Sequence, residues 1–197
     1  IDRIVAALEP RQEGTRVEIV AKEAVLLSVG VPLVKQALGQ AKQQVLVNNL
    51  KQIGLAFHNH LASHRDSFPT AAIYSKDGKP LLSWRVALLP HLEQNDLYKQ
   101  FKLDEPWDSE HNKKLIARMP KVYASSPDPK VTAAGKTTYV VPVGPDTAFT
   151  GKNPLRIQAV ADGTSNTILT VDVDDAQAGI WTKPDDWQYD SKAPAKG

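Results

Sequence analysis

Apolar positions recur at helical spacing through the first third of the chain, then give way to short β-like runs separated by turns. Between residues 22 and 64, Val34, Leu38, Ala41 and Val45 follow one helical stripe. Leu46, Leu50, Ile53, Phe57 and Leu61 form an adjoining one. Together they cover a wide face, which predicts a long helix embedded against a sheet. Gly30 and Pro32 fall early in it. Pro32 lacks a backbone donor and crowds the preceding turn, so a kink or a fresh helix start is expected there. Upstream, residues 1–8 read as a short helix with Ile4, Val5 and Leu8 on one face, and 10–14 read as a turn. Residues 15–21 alternate as a strand, with Val17 and Ile19 on one side. That strand has no obvious local partner, so pairing upstream or at a chain–chain contact is expected. Residues 1–23 therefore read as the tail of an upstream domain or a linker strand, and 24–186 as the domain proper.

Beyond the helix, Phe68-Pro69 ends the helical pattern and Asp77-Gly78-Lys79-Pro80 signals a turn. Ser83 is placed to cap a helical segment over 84–89. Pro90 restarts the chain into 91–101, where Leu92, Leu97 and Tyr98 are expected to face inward. Asp108 or Ser109 can accept from the first turn of a helix reaching Arg118, and Pro120 stops it. Residues 137–143 and 166–173 are rich in Val, Thr and Ile and read as strands, with another at 179–182. Residues 187–197 form a polar C-terminal tail. Helix first and strands last gives an α+β class with an antiparallel sheet.

Charge and composition narrow the functional classes. The 197 residues carry 24 basic and 22 acidic side chains, a net charge of +2, and the Lys residues lack an aromatic stacking platform. This argues against a nucleic-acid partner. The absence of cysteine excludes disulfides, thiolate zinc sites and cysteine nucleophiles. The longest apolar run, 24–34, is broken by Ser28, Gly30 and Pro32. It falls short of the ~20 residues a spanning helix needs. The start at Ile1 instead of Met reads as a processed product.

Several segments together resemble one family. They include Asn48-Asn49-Leu50-Lys51-Gln52-Ile53-Gly54-Leu55-Ala56, Ser67-Phe68-Pro69, Leu82-Ser83-Trp84-Arg85-Val86, Leu89-Pro90 and Leu92-Glu93-Gln94. Leu103-Asp104-Glu105-Pro106-Trp107-Asp108-Ser109, Asn112, Asp162-Gly163-Thr164-Ser165-Asn166-Thr167-Ile168 and Trp181-Thr182-Lys183-Pro184 complete the set. In this order they resemble the pseudopilin-like domain of unknown function fifteen-fifty-nine, a family expanded in planctomycete bacteria. The resemblance runs from Pro32 to Asp186, and Pro32 keeps a sixteen-residue spacing to Asn48 that pilin-like members show. It implies a long helix packed on an antiparallel sheet, with helical and Trp-rich loop insertions, and export to the periplasm or cell surface. It carries no established activity. Two departures stand out. Residues 13–23 are polar and strand-like where pilin-like members carry a processing motif and a membrane-spanning helix. Leu46 and Ser125 occupy positions that are cysteine in many members.

The candidate chemistry is sparse. His58, His60 and His64 cluster at the helix end. His60 and His64 are one turn apart, with Asp66 the nearest third ligand for a metal. The commoner reading is a polar helix end where positive charge suits the dipole. Asp162, Asp172, Asp174 and Asp175 lack the order of a calcium loop and read as a solvated strand end. Trp84, Arg85, Trp107, Asp108, Trp181 and Trp187 either line a groove that stacks on sugars or staple the loops onto the sheet. In the second case Arg85 pairs with Asp104, Glu105 or Asp108. Gly54 reads as a place where another segment approaches the helix closely. No nucleophile elbow or phosphate loop is present. The expectation is a non-enzymatic structural or interaction domain without a cofactor, whose partners are other envelope or surface proteins or further copies of the chain. The alternative is an extracytoplasmic, glycan-binding module built on the Trp-rich loops.

Overall fold

The computed structural model describes residues 8–13, 16–21, 31–160, 163–190 and 192, and the chain divides into two compact units, 1–46 and 47–197. The class is α+β.

In the first unit, β1 (Leu8–Glu13) and β2 (Arg16–Ala21) form an antiparallel hairpin, with Leu8 opposite Ala21 and Glu13 opposite Arg16. Two expectations are corrected here. The 15–21 strand does have a local partner, and β1 occupies most of the stretch read as a turn. β1 shows no apolar alternation of its own, so periodicity gave no sign of it; the ladder to β2 satisfies its backbone instead. The helix expected over 1–8 lies outside the described residues except for Leu8, which is in the strand.

α1 (Val31–Ser63) is the long helix. Pro32 is its second residue, a first-turn position where the missing N–H removes no helical bond. The helix contains three lysines, Lys35, Lys42 and Lys51, and neither Asp nor Glu. Val34, Leu38 and Val45 are 55–59% exposed, so this stripe is not embedded. The adjoining stripe is: Ile53 and Phe57 are fully buried, Leu61 nearly so, and Leu50 packs at the margin. Gly54 meets no neighbouring atom within 4 Å of where a Cβ would stand, which corrects the close-approach reading. Gly54→Ala should therefore raise stability by about 0.5–1 kcal/mol, the helix-propensity difference, measured as a shift in urea midpoint. No helix among the described residues is long and apolar enough to cross a membrane.

The second unit surrounds the buried half of α1 with short elements. β3 (Ala72–Tyr74) and β4 (Pro80–Ser83) form an antiparallel hairpin whose turn holds Gly78 at φ 79°. These strands are too short to announce themselves by alternation. As expected, Ser83 caps α2 (Trp84–Ala87), its Oγ accepting from the Arg85 N–H at 3.3 Å. A 3₁₀ turn (Leu89–Leu92) and α3 (Asn95–Tyr98) follow, with Leu97 buried. The helix expected up to Arg118 is a 3₁₀ helix, Asn112–Arg118. Asn112 is fully buried, and its amide pins the preceding loop by accepting from the Lys102 N–H and donating to the Lys102, Glu105 and Pro106 carbonyls.

After α4 (Pro129–Ala133), the expected 137–143 strand is broken into β5 (Lys136–Thr137), β6 (Tyr139–Val140) and β7 (Pro142–Val143). Each takes a different partner: β5 pairs antiparallel with β9 (Gly179–Ile180), β6 antiparallel with β8 (Val171–Asp172), and β7 parallel with β10 (Trp187–Gln188). The strand expected over 166–173 shrinks to β8, and Thr164–Asn166 is a 3₁₀ turn. The strands thus form separate two-stranded ladders, and the core is centred on Phe57, Trp84, Tyr123, Tyr139, Phe149 and Trp181.

Candidate functional site

Trp84 and Arg85 follow directly from the β4–α2 corner, which turns both side chains into the core. Trp84 is fully buried and Arg85 is 2% exposed. The Arg85 guanidinium lies 4.7 Å from the centre of the Trp84 ring. Its Nη1 donates to Ser83 Oγ at 2.7 Å, and Nε donates to the Tyr139 carbonyl at 3.0 Å, as does Nη2. Nη2 also meets Asp186 Oδ1 at 2.9 Å, with the two side chains 2% and 3% exposed. That same oxygen accepts from Trp84 Nε1 at 3.0 Å and from the Val141 N–H at 3.1 Å. The Tyr123 hydroxyl donates to the Arg85 carbonyl, and burial pushes the Tyr123 phenol up. Arg85 therefore ties α2 to β6 and to the C-terminal segment. Its partner is Asp186, not Asp104, Glu105 or Asp108. Those acids are close in sequence, but the helical corner points Arg85 inward, away from their loop.

Trp181 is also fully buried, stacked on Tyr123 at 6.0 Å and edge-on to Phe101 at 5.7 Å, with Nε1 donating to the Ile116 carbonyl. Trp107 is half-buried, its N–H donating to the Leu81 carbonyl, with Lys183 Nζ 6.0 Å from its ring. Asp108 is exposed. Of the six groove candidates, Trp84, Arg85 and Trp181 are core residues that staple the loops, Trp107 and Asp108 lie toward solvent, and Trp187 is half-buried. Sequence reasoning missed Asp186. Its only signal was an acid at the end of the recognised segments, beside Trp187.

The histidines form a second cluster. His60 and His64 stack at 3.8 Å with ring planes 4° apart, and His91 of the Leu89–Leu92 turn meets both edge-on at 5.5 and 5.9 Å. His60 Nδ1 lies 3.1 Å from the Ser67 carbonyl, and His64 Nδ1 lies 3.0 Å from the His60 carbonyl and 2.9 Å from Ser63 Oγ. Lone pairs in two parallel planes that far apart do not converge on an ion at the ~2.0 Å a zinc–imidazole bond requires. Asp66 is turned to Gln158. Among the described residues no group of three such side chains is placed to hold a metal ion. Asp172 accepts from Thr138 Oγ1; burial raises its carboxyl, and Asp174 and Asp175 are exposed. Asp162 lies outside the described residues.

Burial, followed by the fields of His64 and His91, pushes His60 down to about 4 against the Ser67 carbonyl's opposing pull. Burial and then His64 lower His91 as well. The unfolded chain takes up this proton near 6.5 and folded His60 only near 4, so the unfolded state binds more protons between those values. The contribution of neutral His60 is complete above the upper value and falls as pH drops toward the lower one, by about 2–3 kcal/mol in all. Urea midpoints measured near neutral pH and near pH 4 should show this loss, and His60→Gln should reduce it.

Two clefts meet at Trp187. The larger, about 550 Å³, is lined by residues that include Pro142, Asp146, Thr147, Asn166, Trp187 and Tyr189. The Trp187 and Tyr189 rings there lie edge-to-face at 5.5 Å. The smaller, about 330 Å³, is lined by residues that include Val140, Val173, Gln177, Gly179, Asp186 and Trp187.

Residues 47–140 match the family model described as "Protein of unknown function (DUF1559)". No curated protein and no solved structure matches the chain.

Proposed function

We propose that this chain, whose residues 47–140 match the model of the DUF1559 family of unknown function, is a non-enzymatic, pseudopilin-like interaction module of an exported protein. The observation that carries this reading is the exposed stripe Val34, Leu38 and Val45 on α1. With Ala41 these positions step by four, three and four, the spacing of a coiled-coil seam. Lys35 and Lys42 flank that seam at equivalent positions, and the helix holds no acid to balance them. An antiparallel second copy of the same helix would set lysine beside lysine, and a parallel one would set lysine beside Ala37 and Gln44, with no acid in either case. The face therefore fits a partner helix whose apolar seam is flanked by acidic residues, carried by another envelope or surface protein.

The test uses a synthetic amphipathic helix with a leucine seam and glutamates at its flanks. It should bind the full chain in a salt-sensitive manner, as measured by calorimetry. Leu38→Asp with Val45→Asp should abolish binding without lowering Tm, because both positions are exposed. Equal binding of the same peptide with lysine flanks, or association of the chain with itself through this face, contradicts the reading.

A further inference from the structure

Three imidazoles meet where α1 ends. His60 is 7% exposed and stacks on His64, and His91 closes on both from the edge. His60 Nδ1 lies against the Ser67 carbonyl at 3.1 Å, so Nδ1 carries the proton and Nε2 is the atom that takes a second one. Ser67 sits in the middle of a corner, residues 64–69, that is joined to residues 155–157 by backbone bonds. The Phe68 N–H donates to the Leu155 carbonyl at 2.9 Å, and the Ile157 N–H donates to the Asp66 carbonyl at 2.8 Å. His60 thus ties α1 to the residue between those two bonds.

A proton on Nε2 finds no counter-charge. The fields at His60 come from His64 and His91, and both oppose the charge. The charged groups beside the cluster on the packed elements are Arg65, Asp66, Glu93 and Arg156. All four are exposed, and the Asp66 carboxylate is turned to Gln158 Nε2 at 3.4 Å. The C-terminal dipole of α1 favours a cation here. Burial outweighs it and is the largest cause that holds His60 below the ordinary histidine range. The ring escapes that penalty by turning out into water. A cleft of about 440 Å³, lined by residues that include His60, His64, Ser67, Phe68 and Pro69, gives it room. Turning out takes the Nδ1 donor away from the Ser67 carbonyl.

We propose that His60, His64 and His91 form an acid-sensitive latch: while neutral they hold the 64–69 corner on residues 155–157, and when His60 takes a proton the corner opens while the rest of the core stays folded. Local opening costs less free energy than global unfolding, so the corner responds first. The open form binds the proton more readily than the closed one, so acid favours it. The effect begins as pH falls through the ordinary value of 6.5 and grows toward about 4.

Native-state hydrogen exchange of the full chain tests this near pH 7 and near pH 5, with each rate taken relative to the unprotected amide at the same pH. The Phe68 and Ile157 N–H groups should lose protection about tenfold or more. At the lower pH their exchange should be insensitive to low urea. The Trp181 N–H, bonded to the Gly135 carbonyl in the core, should exchange more slowly and keep its urea dependence. His60→Gln keeps a donor for the Ser67 carbonyl without titrating, and it should remove the pH response. His91→Gln leaves the tie to Ser67 in place and should weaken the response, which keeps the test open should the first variant not fold. The proposal is overturned if protection at Phe68 and Ile157 is the same at the two pH values, if it falls only in step with Trp181, or if either variant keeps the full response.

Discussion

Asp186→Ala is expected to lower the stability of the chain by about 3–5 kcal/mol, the cost of breaking a buried ion pair from one side. A single oxygen of Asp186 gathers Trp84 Nε1, Arg85 Nη2 and the Val141 N–H, so its removal strands two donors and takes the counter-charge from the third. The guanidinium keeps the Tyr139 carbonyl and Ser83 Oγ, but its charge is left buried with no counter-charge. Asp186→Asn keeps the acceptor oxygen and should cost less than Asp186→Ala. A double variant, Arg85→Met with Asp186→Leu, should lose less than the sum of its two singles, since neither charge then remains alone. Urea unfolding of the four chains measures this. A loss below about 1 kcal/mol for Asp186→Ala would mean that the C-terminal segment is not tied into the core through this residue.

Phe57→Ala should cost about 3–5 kcal/mol, the range for deleting a fully buried aromatic ring. The ring is stacked on Trp84 at 5.3 Å and tilted against Phe149 at 5.8 Å, so it joins α1 to the β4–α2 corner and to the loop after β7. The neighbouring Leu55 is 59% exposed. Leu55→Ala should change stability by less than about 0.5 kcal/mol, the usual range for a surface change. The contrast between these two positions fixes which face of α1 is buried. Equal losses at both would mean that the helix is rotated from the orientation described.

What the sequence reveals here depends on range. The α+β class, the burial of Ile53 and Phe57 and the Ser83 cap are all written in local spacing, and each is found. The stripe of Val34, Leu38 and Val45 has the same periodicity as the buried one but is exposed. Periodicity shows that a helix has an apolar face; it does not show that the same chain covers it. Asp186 pairs with a residue 101 positions away, a separation at which no local pattern signals contact. The nearer acids, Asp104, Glu105 and Asp108, were the natural but wrong partners for Arg85. The two-residue ladders around β5–β10 are too short for alternation to appear. Their partners are chosen by the packing around Tyr139 and Trp181 and not by propensity. The tryptophans read equally well from sequence as groove or staple, and burial decides for the staple at Trp84 and Trp181.

Residues Ile53, Phe57 and Leu61 of α1 are buried in the core, whereas Val34, Leu38 and Val45 form the exposed stripe proposed to meet a partner helix. Hydrogen exchange along α1, with and without the glutamate-flanked peptide, tests this division most directly. Slow exchange is expected over residues 47–63 in both conditions, and fast exchange over 34–46 that slows when the peptide is added. Slow exchange over 34–46 in the free chain, or no change there on adding the peptide, would contradict it.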